Sequence, residues 1–179
     1  AVIGLEQRKI IELCENLSEP NSVIEAVNFN SSQQTVVGGH VDAIDRSVEI
    51  FKKEGAKIVK KLSVSLASHT SLLKICSKDL YKYLNNMKFE KPNFPIIHNF
   101  DASSKDQISD IISSLGEQVC SPVRWTESMT KISKMGINTF LEVGPGQVLT
   151  GLNKRIDKSF ITYPLCGVSE MSKAIEGIQ

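Results

Sequence analysis

Over the first sixty or so positions the apolar residues change rhythm from stretch to stretch, and the changes mark out a small α/β unit. Ala1–Leu5 is strand-like. Across Glu6–Leu17, Ile10, Leu13, Cys14 and Leu17 fall on one face of a helix. Ser22–Asn30 is extended, Gln33–Gly38 is a second β-rich run, and the polar link Ser31-Ser32 between them suits a hairpin. Helical spacing returns in Val41–Glu54, where Ile44, Val48 and Phe51 recur and Gly55 follows as a C-cap. Ala56–Leu62 reads as a closing strand. Each helix can cover one face of an antiparallel sheet. The order β-α-β-β-α-β therefore predicts a ferredoxin-like small subdomain over residues 1–62, able to fold alone.

The pattern changes character after Val64. Thr70–Met87 is expected as one long helix with Leu73, Leu80 and Leu84 inward. Pro95–Phe100 is a buried type of strand, and Ser104–Leu115 and Trp125–Met135 are amphipathic helices. Thr139–Val143 is a strand that turns at Gly144-Pro145-Gly146 into a helix over Gln147–Ile156. Phe160–Leu165 and Glu170–Ile175 follow as strand and helix. Strands that alternate with helices imply parallel pairing. About three such strands are too few to bury both faces of a doubly wound sheet, so residues 63–179 read as part of a larger α/β domain.

Composition narrows the field. The 179 residues, 41% hydrophobic and 23% charged, are ordinary for a globular chain. A formal net charge of +1 exerts no general pull on nucleic acid or a membrane surface. No apolar run approaches the roughly 20 residues that span a bilayer, and the first residues lack the basic flank of a signal peptide. Cys14, Cys76, Cys120 and Cys166 form no Cys-x-x-Cys pair, which argues against a zinc site and for reduced thiols in the cytoplasm.

Candidate chemistry centres on His69, in Val64-Ser65-Leu66-Ala67-Ser68-His69-Thr70-Ser71-Leu72-Leu73. It follows an extended run and precedes a helix, where a loop can present an imidazole to a cleft. Such a ring can take a proton from a hydroxyl or thiol near neutral pH and return it to a leaving group. The plainer reading makes Ser68 or Thr70 a helix cap and His69 a surface residue. Gly144-Pro145-Gly146 precedes a helix N-terminus, where anions bind. Its spacing nevertheless fits neither Gly-x-Gly-x-x-Gly, since position 149 is Leu, nor the lysine-containing phosphate loop. A structural turn is the expectation there, and His40 and His98 likewise read as structural.

Together the His69 segment and Phe140-Leu141-Glu142-Val143-Gly144-Pro145-Gly146-Gln147-Val148-Leu149-Thr150-Gly151-Leu152, about 70 residues later, closely resemble the malonyl-CoA:acyl carrier protein transacylases. Further segments of that family appear in the same order. Val27-Asn28-Phe29-Asn30-Ser31 resembles its asparagine-rich strand end, and Gln118 resembles the Gln ahead of its Pro-Val-x-Trp element, here Pro122-Val123-Arg124-Trp125. Thr70 and Leu73 depart from the commonest family choices, but neither carries proton chemistry. The likeness runs from the first residues to about Ile156.

The resemblance implies a ferredoxin-like small subdomain followed by part of an α/β-hydrolase-like parallel-sheet subdomain. It also implies a ping-pong transfer of malonyl from coenzyme A to the phosphopantetheine thiol of acyl carrier protein, by a Ser-His dyad in which His69 is the histidine. Gln118 matches the residue whose main-chain carbonyl orients that ring. Asn30 matches a polar residue near the cleft between subdomains, against an equally good reading as a turn-forming Asn. Acyl carrier proteins are acidic, and Lys154-Arg155 is the better docking candidate among the basic groups; for Lys52-Lys53, Lys57 and Lys60-Lys61 a solvated face is at least as good a reading as docking.

No resident cofactor is implied, since the thioester is substrate and the phosphopantetheine belongs to the partner. The family's Gly-His-Ser-x-Gly elbow, the arginine that follows it and the oxyanion-region glutamine are absent from these residues. The remaining, N-terminal half of such an enzyme is therefore an expected partner, and this chain alone is expected to be inactive. Two other readings stand beside this one. The first is an acyltransferase fragment of a polyketide or multifunctional fatty-acid synthase, and the second is a non-catalytic ferredoxin-like binding module.

Overall fold

The computed structural model describes residues 1–178, and Gln179, the end of the second expected portion, lies outside the described residues. The chain packs into two compact units, Ala1–Ser128 and the residues from Met129 onward. The expected subdomain boundary at residue 62 falls inside the first unit.

That unit opens with β1 (Val2–Ile3), α1 (Gln7–Leu17), β2 (Ile24–Ser31), β3 (Gln34–Gly39), α2 (Val41–Lys53) and β4 (Ile58–Val59). The sheet order is β2-β3-β1-β4 with every neighbour antiparallel, the ferredoxin-like arrangement anticipated from the pattern. Helical periodicity puts Ile10, Leu13 and Cys14 of α1, and Ala43, Ser47 and Phe51 of α2, inward. The helices close over Val2, Ile24, Ala26 and Phe29 of the sheet to form one core. Burial in that core pushes the Cys14 thiol up to about 12, with the nearby charges of Glu25 and Glu15 adding to the effect.

The end of α2 shows how sequence sets the connection. Gly55 takes a φ of +100°, its N–H bonds to Lys52 O, and the Ala56 N–H reaches back to Phe51 O. This is the paired bonding of a Schellman cap, and it returns Ala56 to the core beside Phe51. β4 is shorter than the expected Ala56–Leu62 because its partner β1 spans only two residues. The pairing is extended by mutual bonds between the Ala1 amine, the Lys60 carbonyl, the Lys60 N–H and the Ala1 carbonyl.

β2 is an edge strand with two register irregularities, one between Ala26 and Asn28 and one between Phe29 and Ser31. Its free edge is covered by a single extended segment. Phe29 N–H bonds to Val123 O at 2.9 Å and Val123 N–H to Val27 O at 2.8 Å. Thr126 Oγ1 adds a bond to Phe29 O at 2.9 Å. The exposed ladder is thus closed by the chain itself.

Between β4 and that segment lie α3 (Lys74–Asn85), β5 (Ile97–His98), β6 (Ser103–Ser104) and α4 (Ile108–Glu117). α3 and α4 pack together, with Ser77 Oγ donating to Gly116 O at 2.9 Å. Two expectations are corrected here. The helix expected over Thr70–Met87 starts instead with a 3-10 turn, Ser71–Leu73, because Thr70 is extended and its carbonyl takes the Leu73 N–H. The strand within Pro95–Phe100 pairs antiparallel with β6, not parallel. Asp101 makes that hairpin by accepting bonds from the Ser103 N–H and Oγ–H, an Asx-type turn that reverses the chain within a few residues.

α5 (Trp125–Lys134) runs from the first unit into the second, which holds β7 (Thr139–Glu142), α6 (Val148–Ile156), β8 (Ile161–Pro164) and α7 (Val168–Ile178). β7 and β8 pair parallel, Thr139 opposite Ile161, across the α6 crossover. Phe140 and Phe160 meet edge to face with centroids 5.1 Å apart. The molecule is thus mixed α/β, an antiparallel ferredoxin-like sheet followed in sequence by a parallel βαβ element.

Phe51 is fully buried and locked at the α2 cap, so Phe51→Ala should cost about 3–5 kcal/mol. Urea unfolding followed by circular dichroism measures this, and a loss below about 1 kcal/mol would show that Phe51 is not central to the core.

Candidate active site

The residues around His69 are held from three directions. His69 itself has a φ of +66°, a left-handed conformation uncommon for a side-chain-bearing residue and worth about 1–3 kcal/mol of strain. Its N–H bonds to Val119 O at 3.0 Å. Next to it Thr70 is buried, and its hydroxyl donates to Ala67 O at 2.6 Å. Gly38 of β3 lies under this loop, where a Cβ would sit 3.3 Å from the Thr70 methyl and 3.4 Å from Val27.

The ring is fixed as firmly as the backbone. His69 Nδ1 lies 2.7 Å from the main-chain oxygen of Gln118, the residue that ends α4. A carbonyl oxygen can only accept, so Nδ1 carries a proton, and in the neutral ring Nε2 keeps its lone pair. Nε2 makes no hydrogen bond among the described residues. α4 sets the Gln118 carbonyl in place: the Gln118 N–H bonds to Ser114 O, and Val119 N–H to Gly116 O. The same stretch then runs into Val123 and its bonds to β2. One short segment therefore both closes the sheet edge and aims the imidazole.

His69 lines a cavity of about 310 Å³ with Val27, Asn28, Gly38, Leu66 and Ala67. Most of these walls are apolar. A pre-oriented imidazole with one free nitrogen on such a hollow can take a proton from a hydroxyl or thiol that enters it.

The other expected residues lie elsewhere. Asn30 is half-buried in β2 at a register irregularity. Its amide bonds to nothing among the described residues, and it is not among the cavity-lining residues, whereas Asn28 is. Lys154 and Arg155 are exposed in the last turn of α6, in the second unit. His40 joins α2 to the start of β2, its Nδ1 accepting the Val23 N–H at 2.9 Å while its own N–H bonds to Val23 O. His98 is buried, and burial holds its imidazole toward the neutral form. Lys52 and Lys61 are engaged by Glu49 and Asp45. Among the described residues no group of three or more His, Cys, Asp or Glu could hold a metal ion, and no helix is long and apolar enough to cross a membrane.

Glu142 was not singled out by the sequence reading. Its carboxylate accepts the N–H groups of Leu149 and Thr150 at 2.9 and 2.7 Å and the Thr150 hydroxyl at 2.6 Å. The anion-binding end of α6 is thus already occupied from within the chain, which makes Gly144-Pro145-Gly146 a structural turn. Gly144 and Gly146 have φ of +145° and +90°, open to glycine and closed to most other residues. An acid two residues before a Gly-Pro-Gly turn into a helix was the signal available.

No family model matches the chain. Curated relatives do. The malonyl CoA-acyl carrier protein transacylase of Haemophilus influenzae is 39% identical over 156 residues, 87% of this chain and 50% of the relative. Among solved structures, the transacylase of Coxiella burnetii superposes with a TM-score of 0.93 at 36% identity, covering 98% of this chain and 55% of that one. A malonyl-transacylase solved with a type II polyketide acyl carrier protein gives 0.94 at 34% identity, covering 98% and 57%. Sequence and fold together relate the chain to the malonyl CoA-acyl carrier protein transacylases. It spans about half the length of the curated relatives it matches.

Glu142 supplies a pH test of the turn. Burial raises its carboxyl, but the bonds from Thr150, Leu149 and Val148 outweigh this and leave it below the ordinary 4.5. A depressed carboxyl stabilises the fold fully above its ordinary value and loses that contribution as pH falls through the depressed one. The Tm gap between wild type and Glu142→Ala should therefore be constant from pH 8 to about 5 and narrow below about 4.5. A gap independent of pH would mean the carboxylate charge plays no part.

Proposed function

We propose that this chain supplies the general base for malonyl transfer from coenzyme A to the phosphopantetheine thiol of acyl carrier protein, as part of a transacylase whose nucleophilic serine lies outside these residues. The observation that carries the proposal is the hydrogen bond from His69 Nδ1 to the Gln118 carbonyl. In the neutral ring it leaves Nε2 unprotonated, on a residue that lines a cavity, which is what a Ser-His dyad requires of its histidine.

The steps follow from that tautomer. The serine hydroxyl gives its proton to Nε2 as Oγ attacks the malonyl thioester carbon. The tetrahedral intermediate collapses, the carbon–sulfur bond breaks, and the leaving sulfur takes the proton from Nε2. The carrier thiol then gives its proton to the regenerated Nε2 and attacks malonyl-serine, and the serine oxygen recovers the proton as it leaves. While Nε2 is protonated, the imidazolium donates from Nδ1 to the Gln118 oxygen. The carbonyl dipole thus stabilises the charge where the Ser-His-Asp triad uses a carboxylate. Thioester and phosphopantetheine arrive with substrate and partner, so the reaction as proposed draws on no resident cofactor. The solved complex of a related transacylase with its carrier supports a carrier protein as the second substrate.

In this reading residues 1–62 form the small subdomain, and residues from 63 on belong to the large one. Asn30 lies near the cleft these would form. Lys154 and Arg155 act in carrier docking.

Two outcomes test the base assignment in a form of the enzyme that carries the serine elbow. His69→Ala should lower transfer by about 10²–10⁴-fold without unfolding the protein. Gln118→Ala should leave transfer close to wild type, because the orienting atom is a main-chain oxygen. A folded His69→Ala variant with normal transfer removes the base, and a collapse in Gln118→Ala moves the orienting role to the side-chain amide.

Docking is tested separately. Reversing Lys154 and Arg155 to Glu should raise KM for the carrier and spare acylation by malonyl-CoA. The effect should shrink as salt rises, since exposed charges act mainly on encounter. Steady-state kinetics against carrier concentration at low and high salt measure it, and equal carrier KM at low salt would return the pair to a solvated helix end.

A further inference from the structure

Glu25 stands in β2 between Ile24 and Ala26, both of which belong to the core under the helices. Strand alternation turns Glu25 to the opposite face. There its carboxylate meets Ser71, two residues after His69. One oxygen accepts the Ser71 N–H at 2.7 Å, and the other accepts the Ser71 hydroxyl. The contact joins parts of the chain 46 residues apart.

We infer that Glu25 is a positioning residue for His69, a carboxylate clamp that holds the left-handed histidine loop against the sheet. The inference rests on His69 being the general base. Two groups tie the loop on the histidine side, the Val119 carbonyl to the His69 N–H and the Gln118 carbonyl to Nδ1. Both belong to the segment after α4. Beyond the histidine, the chain must turn at once from an extended Thr70 into a 3-10 turn. The first free N–H of that turn is Ser71, and Glu25 satisfies it with a charged acceptor, the stronger kind of bond and the favourable sign at a helix start.

Without that anchor, the strain at His69 is opposed from one side only. The loop can then relax toward ordinary backbone angles and carry the ring off the Gln118 oxygen. Glu25 touches the loop and not the ring, so it acts on rate through the position of Nε2. This fits the sequence reading, which could not have found it: a lone Glu inside a strand carries no motif, and its partner is a serine far along the chain.

The test uses Glu25→Ala, Glu25→Gln and Ser71→Ala. In the chain itself, Glu25→Ala should speed amide hydrogen exchange at His69 and Ser71 by about tenfold or more, while Ile10 and Phe51 in the core keep their protection. Glutamine can still accept the Ser71 N–H and donate to its hydroxyl, so Glu25→Gln should restore most of the protection. Ser71→Ala, which removes one of the two bonds, should shift exchange in the same direction by less.

In the serine-bearing enzyme, Glu25→Ala should lower kcat by about 10–100-fold with KM for malonyl-CoA little changed, and Gln should recover it. Unchanged exchange at His69 in folded Glu25→Ala overturns the clamp, as does a Gln variant no better than Ala. Faster exchange at His69 with a normal kcat overturns the positioning role if His69→Ala still abolishes transfer, and overturns the base assignment on which it rests if His69→Ala does not. His69→Ala in the same assay distinguishes the two failures.

Discussion

The bond from His69 Nδ1 to the main-chain oxygen of Gln118 is the constraint on which the candidate site depends. It selects one tautomer, fixes the ring and leaves Nε2 without a hydrogen bond among the described residues. A backbone carbonyl suits this role because it cannot be lost by side-chain rotation and carries no formal charge to desolvate. Its position is only as good as the chain that bears it. Here that chain is the end of α4 and the extended segment bonded to β2 through Val123, so the geometry of the histidine derives from the hydrogen-bonding pattern of a sheet edge.

Several weaker features serve the same end. The left-handed backbone at His69 is costly by itself and persists because bonds on both sides over-determine it. Thr70 is buried against Gly38 and Val27, where a larger residue than glycine in β3 would press on its methyl. The ferredoxin-like core, held by Phe51, Ile10 and Val2, gives these contacts a rigid floor. In the second unit the same economy appears on a different atom. Glu142 of β7 fills the N-terminal end of α6, so the helix is capped from the preceding strand and the Gly-Pro-Gly turn serves only to bring the chain round.

Much of this was legible in the sequence, and the reasons are local. Residues 1–59 follow period-3.6 and period-2 patterns with a glycine C-cap at Gly55, and each signal points to the same element order. His69 was a candidate from its place in a loop, but Gln118 and its pairing with His69 came from resemblance, since nothing in their spacing joins positions 49 residues apart. What escaped was decided by tertiary pairing. The expected long helix from Thr70 was cut at its start by the tight turn after the histidine. Ile97–His98 turned antiparallel because Asp101 reverses the chain, a short hairpin that hydrophobic pattern cannot separate from a parallel strand. Glu25 and Glu142 were not singled out from the sequence, and only the structure shows which N–H groups they satisfy.

The Gln118 carbonyl selects, in the neutral His69 ring, the tautomer protonated on Nδ1. Multiple-bond ¹⁵N–¹H correlation NMR on the ¹⁵N-labelled chain, at a pH where the ring is neutral, reads this directly. His69 Nδ1 should show the shift of a protonated nitrogen and Nε2 that of an unprotonated one, with a hydrogen-bonded Nδ1–H. A ring protonated on Nε2, or one that averages between the two tautomers, would contradict it.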